Sequence, residues 1–272
     1  MRNFLIILII FISSSFMIRE EYSNLPVIPN NFTKGELLEY KVSFGLFTVG
    51  KAQMKMYENI YNVNGRGCYK LDIHGKTSGA VDWVAKVNDN WGAYIDTAAL
   101  VPHISYRNIQ ENNYRKKEIV KFDHTTNMVE AKVLDNKTGE FKAPEYYQAP
   151  ENVRDMIGGY LFLRAVDFSR VKKGDTLVIN AFFENTFYDF SIVYKGKEEV
   201  KTKVGSFRAL KLVPIMPDNK LFAGENSITL WLSDDESKIP LKISANMFIG
   251  SAGCELVKYK GVKNELLLSK IK

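Results

Sequence analysis

The sequence predicts a mainly β protein, made of two related antiparallel β-meander halves that form curved sheets or a half-open barrel and are joined by one α-helix. Three observations predict this class. Apolar and polar residues alternate with a period of two over most of the chain, a single stretch has helical spacing, and short motifs recur 138 or 139 residues apart.

Alternation of this kind is typical of strands with one buried and one wet face. Tyr40, Phe44 and Leu46 are spaced to share the apolar face of the first strand. The pattern is found at residues 40–46, 51–56, 69–74, 129–134, 190–194 and 241–246. Turn-rich breaks separate the strands at residues 62–67, 135–139, 195–197 and 233–238. Such spacing predicts an antiparallel sheet.

One stretch departs from the period of two. Between Glu151 and Phe168 apolar residues recur at intervals of three and four, and Pro150 followed by Glu151 suits a helix start. We therefore predict one helix there. Gly158 and Gly159 in its middle each cost up to about 1 kcal/mol relative to Ala, which indicates close packing against a sheet or a kink.

The segments on either side of this helix resemble each other. At an offset of 139, Lys34-Gly35-Glu36 matches Lys173-Gly174-Asp175. At an offset of 138, Gly67, Tyr69, Lys70, Asp96, Val101 and Pro102 match Gly205, Phe207, Arg208, Asp234, Ile239 and Pro240. The shared order favours duplication over a chance coincidence of common residue types. Asp96 and Asp234 are then expected to accept backbone N–H groups in turns, and each proline is expected to begin a strand.

These patterns divide the chain into five parts. They are a signal peptide at 1–15, a first β repeat at 30–142, a linker and helix at 143–168, a second β repeat at 169–262 and a tail at 263–272.

The first residues have the form of a secretory signal. Arg2 precedes an apolar run from Phe4 to Ile12, and Ser13 and Ser15 supply small residues after it. The run is too short to span a bilayer comfortably, so we expect export to the periplasm or the exterior; a retained anchor is the alternative. After removal of the signal, the protein is not expected to be an integral membrane protein.

Composition and motifs restrict the classes of function and the partners that the protein can have. The chain has 272 residues, 46% hydrophobic and 25% charged, which excludes disordered and collagen-like classes. The net charge of +6 is spread along the chain, so nucleic acid is not an expected partner. Gly75-Lys76-Thr77 resembles the end of a phosphate-binding loop, but Lys70 stands where the first glycine is needed, so a nucleotide is not expected either. No nucleophile elbow, zinc motif or Cys-x-x-Cys is present, and we predict no catalytic residue, cofactor or metal ligand.

Aromatic residues are the candidate ligand-binding residues, because they combine a large contact area with a polar handle. The candidates are Trp83, Trp91, Tyr146, Tyr147 and Trp231. Core and sheet-edge packing is the alternative for each. The acidic run from Asp234 to Glu236 is a second cluster, which suits a hard cation or an acid and base, and also an ordinary hairpin turn.

Two cysteines, Cys68 and Cys254, lie far apart in a chain expected in an oxidising compartment. A disulfide between them would close a very long loop and stabilise the fold by up to about 4–5 kcal/mol. Two buried free thiols are the alternative, because the sequence does not place the two Cα atoms within reach of each other.

Four motifs carry a family resemblance. They are Phe32-x-Lys34-Gly35-Glu36-x-Leu38-x-Tyr40, Gly50 closing the next turn, Pro102 after Tyr94-Ile95-Asp96, and Trp231-Leu232-Ser233-Asp234-Asp235 followed by Ile239-Pro240. Together they resemble the bacterial envelope family called domain of unknown function 3108, over residues 30–260. The resemblance implies an exported, β-rich protein and supplies no catalytic residue.

We expect a non-catalytic periplasmic binding or accessory protein of the envelope. It would hold a lipid, another apolar component or an envelope protein against a concave sheet face, which Phe, Tyr and Met on alternating strands could line. One alternative is an envelope glycan or lipid hydrolase that uses the acidic run from Asp234 to Glu236. The other is a structural scaffold with an exposed apolar patch.

Overall fold

In the computed structural model, the chain is described at residues 21–22, 27, 32–215, 224, 226–263 and 266. The predicted signal peptide and nearly all of the predicted tail lie outside these residues. Within them the protein is mainly β, with sixteen strands in one sheet and one α-helix. The predicted fold class is confirmed.

The strands are β1 (Glu21–Tyr22), β2 (Leu37–Phe44), β3 (Phe47–Met56), β4 (Tyr61–Val63), β5 (Arg66–Thr77), β6 (Asn88–Asp96), β7 (Pro102–Glu111), β8 (Tyr114–Asp123), β9 (Met128–Val133), β10 (Glu145–Gln148), β11 (Thr176–Phe183), β12 (Thr186–Thr202), β13 (Gly205–Pro214), β14 (Ile228–Ser233), β15 (Pro240–Asn246) and β16 (Ser251–Lys260). The helix is α1 (Met156–Ala165), and 3₁₀ turns occupy Gly79–Trp83 and Phe168–Arg170.

The strands follow the order β1-β11-β12-β13-β14-β15-β16-β2-β3-β5-β6-β7-β8-β9-β10, and β4 pairs with β5 outside this path. Neighbours are antiparallel except β1 and β11. Six strands of each half begin at corresponding places: β2 and β11 start at Leu37 and Thr176, 139 apart, and β7 and β15 start at Pro102 and Pro240, 138 apart. The two halves therefore share one strand plan; the duplication and the limits at 30–142 and 169–262 stay predictions.

The alternating segments form strands with one buried face, as predicted. In β2 the inward residues are Leu38 and Tyr40, and in β3 they are Met54 and Met56. One predicted break is wrong: residues 195–197 lie inside the long strand β12, where a β-bulge between Tyr194 and Gly196 takes up the irregularity.

The helix is shorter than predicted, because it starts at Met156 instead of Glu151. Asp155 is the N-cap residue, and its side chain accepts the N–H groups of Ile157 and Gly158. Burial raises the pKa of Asp155 to about 6, against the effect of these two bonds. The close packing predicted at Gly158 is confirmed, since a Cβ there would lie 3.1 Å from Pro102 Cδ.

Helix α1 occupies the concave face of the curved sheet. One apolar cluster joins Ile157, Leu161 and Ala165 of the helix to strands of both halves, including Leu38 and Phe207. Full burial of each large apolar side chain stabilises the fold by about 1.5–3 kcal/mol. The two halves therefore share one core, and the expectation that their Phe, Tyr and Met side chains line a groove on this face is wrong.

The two ends of the sheet approach each other without closing. Phe122 and Val129 of the first half pack with Phe182 of the second. The linker between β10 and α1 crosses the gap: the Arg154 N–H donates to the Asn180 carbonyl and the Phe182 N–H to the Arg154 carbonyl, both at 2.8 Å. Within the described residues, the end strands β1 and β10 pair only with β11 and β9, so the curved sheet is a half-open barrel.

Candidate functional site

The five predicted aromatic residues do not converge on one site. Trp91 and Tyr147 are partly buried inside the fold, each beside a phenylalanine of the second half. Trp231 is partly buried against the core cluster, and its indole N–H donates to Glu198 at 2.6 Å. Tyr146 and Trp83 are exposed at separate places. The two cavities described below hold Trp91 alone of the five, and the role of these residues in ligand binding stays a prediction.

Trp91 lies beside a buried ion network that joins the two ends of the sheet. Its ring stacks on Phe183 at 6.0 Å, and the Arg107 guanidinium lies 5.4 Å from it. Arg107 pairs at 2.5 Å with Glu118 and with Glu184 of the β11–β12 turn. The cavity next to this network has a volume of about 30 Å³, which holds one or two water molecules and no sugar or lipid.

The acidic run is a turn. Asp235 Oδ1 accepts the N–H groups of Ser237 and Lys238 at 2.9 and 3.1 Å. Asp234 pairs with Arg208, and also with Lys197 at 3.0 Å. The expectation that Asp234 caps its turn is therefore wrong, because Asp235 does so. With Asp234 and Asp235 engaged in this way, these two carboxylates do not form the open pair of acids that a hydrolase needs.

Both cysteines are free thiols, so the disulfide considered for Cys68 and Cys254 does not form. They lie on β5 and β16, and β2 and β3 separate these strands. The register aligns Cys254 with Val42, Gly50 and Thr77, and Thr77 is nine residues along β5 from Cys68, so the cysteines are about 30 Å apart along the strands as well as three strand spacings apart across the sheet. Burial raises the pKa of Cys68 to about 11 and that of Cys254 to about 12. Both therefore stay protonated and weakly nucleophilic at neutral pH.

An open depression of about 690 Å³ lies where β5 begins. The aromatic rings of Phe32 and Tyr69 meet edge to face at 5.3 Å in its floor, and Ile60, Lys34 and Lys263 are also in its lining. Phe32 is buried, so it offers little apolar surface to a ligand.

A group of exposed apolar side chains lies at the opposite end of β5, and we call it the apolar rim. Fourteen large apolar side chains are exposed among the described residues, and seven of them lie in three loops at this end of the sheet. The seven are Phe44, Leu46, Phe47, Trp83, Val84, Phe248 and Ile249. Leu46 is 100% and Trp83 92% exposed, so neither contributes to the core.

Sheet order brings the three loops together. β15, β16, β2, β3 and β5 are consecutive neighbours, and their turns at this end are adjacent. The Gly45 N–H donates to the Ser251 carbonyl at 2.8 Å, which ties the β2–β3 turn to the β15–β16 turn. The Phe44 ring lies over Gly250, where a Cβ would come within 2.9 Å of it.

The third loop is tied to β3. The Ser78 N–H donates to the Val49 carbonyl at 3.1 Å and so holds the 3₁₀ turn beside this strand. Thr77 fixes the other end of the loop, because its N–H donates to the Val87 carbonyl at 3.1 Å and its hydroxyl accepts the Val87 N–H at 2.9 Å. Trp83 is thereby presented to solvent by a braced loop.

Three lysines run across the strands behind the rim, and we call them the lysine row. Lys51 lies directly opposite Lys41 on one side and Lys76 on the other. Lys41 Nζ is 3.7 Å from Glu255 Oε2. Lys51 and Lys76 are exposed, and within the described part of the chain neither has an acidic group within 4 Å. Neighbouring like charges destabilise a sheet, so the fold itself does not explain the row.

Sequence reasoning missed the apolar rim. Alternation placed Leu46 on the inner face with Phe44, but Gly45 has φ +55° and ends β2 at Phe44, so Leu46 lies in the turn. The available signal was an apolar residue beside a turn glycine: Leu46 follows Gly45, and Ile249 precedes Gly250. Such a residue has no neighbouring strand to bury it.

Comparisons with known proteins give the family and the fold. The family model described as "Protein of unknown function (DUF3108)" matches residues 39–257. A β-barrel-like protein of domain of unknown function DUF1849 from Brucella abortus is 9% identical, with a TM-score of 0.53 over 86% of this chain and 99% of its own. A hypothetical protein from Chlamydia trachomatis is 8% identical, with a TM-score of 0.36 over 88% and 93%. No curated protein matches the chain.

At this identity the Brucella structure shows a common fold and carries no function. Among the described residues, no helix has the length and apolarity that crossing a bilayer requires. The same residues contain no group of three or more His, Cys, Asp or Glu side chains placed to hold a metal ion. Among the described residues, the apolar rim and the lysine row are two surface features that the fold does not explain.

Proposed function

Because the chain belongs to the DUF3108 family, whose function is unknown, we propose from its own surface that it is a non-catalytic accessory protein of the cell envelope. It binds an apolar envelope component at the apolar rim. The proposal includes export through the amino-terminal signal at residues 1–15.

One observation carries this proposal: seven large apolar side chains are exposed together on three adjacent loops. Monomeric proteins rarely expose a contiguous apolar patch of more than a few hundred Å², and such patches mark interaction sites. Each Leu, Ile or Phe side chain moved from water to an apolar phase contributes about 1.5–3 kcal/mol. Folding does not bury these side chains, so their burial against a partner can contribute free energy to binding.

The interior supports a surface site instead of an enclosed one. The concave face is filled by α1, and the cavity beside Trp91 has a volume of only about 30 Å³. A lipid enclosed by the sheet, as carriers with open grooves hold it, would find no room there.

Micelles of dodecyl maltoside, an uncharged detergent, test the proposal on the full chain. The emission of Trp83 is obtained as the difference between the chain and its Trp83→Phe variant. We expect a blue shift when micelles are added. The double variant Leu46→Ser and Ile249→Ser should weaken micelle binding by about tenfold or more, since two aliphatic side chains leave the interface.

Ile60→Ser is the matched control, because Ile60 is also an exposed aliphatic residue but lies at the other end of the sheet. It should leave the blue shift unchanged. An emission of Trp83 that does not respond to micelles, or an equal loss in the Ile60→Ser variant, would contradict the proposal.

A further inference from the structure

We infer that the apolar rim docks on a bilayer that contains anionic phospholipid, with the lysine row at the level of the phosphate groups. This inference rests on the proposed function and names the occupant of the same surface. Two features of different chemistry support it, one apolar and one cationic, which occur one behind the other on the same strands.

The spacing between the two features matches a bilayer interface. Lys41 lies three residues from Phe44 on β2, and Lys51 lies four residues from Phe47 on β3. At about 3.3 Å per residue, the lysine row is about 10–13 Å behind the rim along the strands. Interfacial apolar groups enter the headgroup and acyl boundary to a depth of about 5–10 Å. Lysine side chains behind them then reach the phosphate layer.

The charges near the rim favour an anionic surface. Lys51 and Lys76 are exposed side by side, and Lys86 is exposed in the loop after Trp83. Of the acidic groups nearby, Asp82 accepts the Thr77 hydroxyl and Glu255 is paired with Lys41. Asp89 and Glu111 lie next to each other beyond Lys86, and Asp89 accepts the Gln110 N–H. Lys51 and Lys76, which have no acidic group within 4 Å among the described residues, therefore present a positive charge outward. A layer of phosphates supplies the counter-charge that the chain lacks.

The shape of the rim also favours a bilayer over a protein groove. The exposed side chains project from three separate loops across five strands, and they form no single helix or strand that a groove could enclose. Trp83 is suited to this position, because indole combines an apolar ring with an N–H donor and is enriched at membrane interfaces. A broad fluid surface can accept all three loops together.

Vesicles provide the test. The full chain is added to vesicles of phosphatidylcholine alone and to vesicles that also contain phosphatidylglycerol, with brominated acyl chains as quenchers. Quenching of Trp83, taken again as the difference from Trp83→Phe, reports insertion of the rim independently of any binding by the apolar run at Phe4–Ile12. We expect quenching on both vesicles and tighter binding to the anionic ones.

The lysine row is tested with the double variant Lys51→Gln and Lys76→Gln. Each lysine near an anionic surface is worth roughly a fivefold change in affinity, so the pair should weaken binding to anionic vesicles by about 25-fold. Raising the salt from about 0.1 M to 1 M shortens the screening length from about 10 Å to 3 Å and should remove this difference. The control Lys137→Gln with Lys142→Gln changes the same charge on exposed residues elsewhere and should change affinity less than about twofold.

The outcomes separate the two proposals. A blue shift in micelles without preference for anionic vesicles, or equal loss in the two lysine double variants, would overturn the docking on anionic lipid and leave the proposed function standing. Binding of vesicles without quenching of Trp83 would overturn insertion of the rim. If the emission of Trp83 shifts only when an envelope protein is added, and does not shift with lipid alone, the partner is a protein. Absence of the micelle shift removes the proposed function, and this inference with it.

Discussion

Each half of the molecule begins with the same backbone turn, but the acidic side chain of the turn binds different partners in the two halves. Gly35 and Gly174 both have left-handed backbones, with φ of +82° and +103°. The carbonyls of the following residues, Glu36 and Asp175, each accept an N–H from the second strand of their own half at 2.9 Å. The turn therefore repeats in its backbone.

The acidic side chains of the two turns have different partners. The buried Glu36 accepts two bonds from Arg164 of the helix, at 2.6 and 2.8 Å, and Arg164 also donates to the Ser237 carbonyl. Asp175 is one methylene shorter and accepts the N–H of Lys172 in its own turn at 2.7 Å. One methylene thus separates a local cap from a contact that fixes the helix to the first half.

The second half holds the helix by apolar packing and by the bonds that Arg164 donates to the Ser237 carbonyl. Leu163 and Val166 of the helix region pack with Leu177, Ile179 and Leu212. The comparison teaches that two similar sheets can bind one helix unequally: both pack against it with apolar side chains, and only the first half adds a charged pair.

The largest expected effect comes from removing the carboxylate that pairs with Arg164. Glu36→Ala leaves Arg164 buried without its carboxylate, and removing one partner of a buried pair costs about 3–5 kcal/mol. Asp175→Ala removes a hydrogen bond to a backbone N–H and should cost about 1 kcal/mol. Urea unfolding of the two variants measures both losses in free energy.

A double variant separates the ion pair from general damage to the fold. Glu36→Leu with Arg164→Leu replaces both charges by apolar side chains, which is often close to neutral, so most of the loss should be recovered. If the double variant is as unstable as Glu36→Ala, the cost does not come from an unpaired arginine.

A second prediction tests whether corresponding buried residues of the two halves contribute equally to stability. Leu38 and Leu177 are 139 residues apart, follow the two repeated turns and are fully buried. Leu→Ala at either place should cost about 2–5 kcal/mol, with values within about 1 kcal/mol of each other. Leu38 and Leu177 lie in different apolar clusters, but helix α1 packs in both, so the halves should unfold as a unit and urea unfolding should give equal m-values. A much smaller loss at one position would contradict equal packing.

A third, smaller effect concerns the turns after β6 and β14. Asp96 accepts the N–H groups of Ala98 and Ala99 at 2.8 and 3.0 Å, and its second oxygen is 2.7 Å from Arg66 Nε and 3.3 Å from His103 Nε2. Burial opposes the charge of Asp96, but these donors together hold its pKa well below the usual range. In the other half, Asp235 binds two N–H groups and the Ser233 hydroxyl.

Asp96→Asn should therefore cost about 1.5–3 kcal/mol at pH 7, and Asp235→Asn about 1 kcal/mol. A lowered pKa in the folded state stabilises the protein above the pKa of the unfolded chain, near 3.8, and this stabilisation is lost as the pH falls below it. The difference between the protein and Asp96→Asn should be constant above about pH 5 and shrink below about pH 4. Urea midpoints across this range measure it, and a constant difference at every pH would contradict the role of the charge.

Much of the fold could be predicted because strands and turns leave local signals. Alternation located β2, β3, β5, β9, β12 and β15, and the repeated motifs placed Pro102 and Pro240 at strand starts. The helix start was misplaced, because Pro150 and Glu151 suit a first turn as well as Asp155 does. Only packing decides between them, through the approach of Gly158 to Pro102.

The candidate site could not be predicted in the same way. The aromatic residues singled out from the sequence are separated in space, whereas Leu46, Trp83 and Ile249 come together at one end of the sheet. These three are more than 30 residues apart in the chain, and they become neighbours because β16 pairs with β2. A long-range pairing of this kind leaves no trace in local spacing.

The sequence by itself determined the β class and the turns at Gly35 and Gly174, since residue period and glycine backbones act over a few residues. Tertiary structure alone decided that the halves share a core, that Glu36 binds Arg164, that Cys68 and Cys254 stay apart, and that an apolar rim forms. These features depend on which distant segments the curvature of the sheet brings together, and that is set by packing of the whole chain.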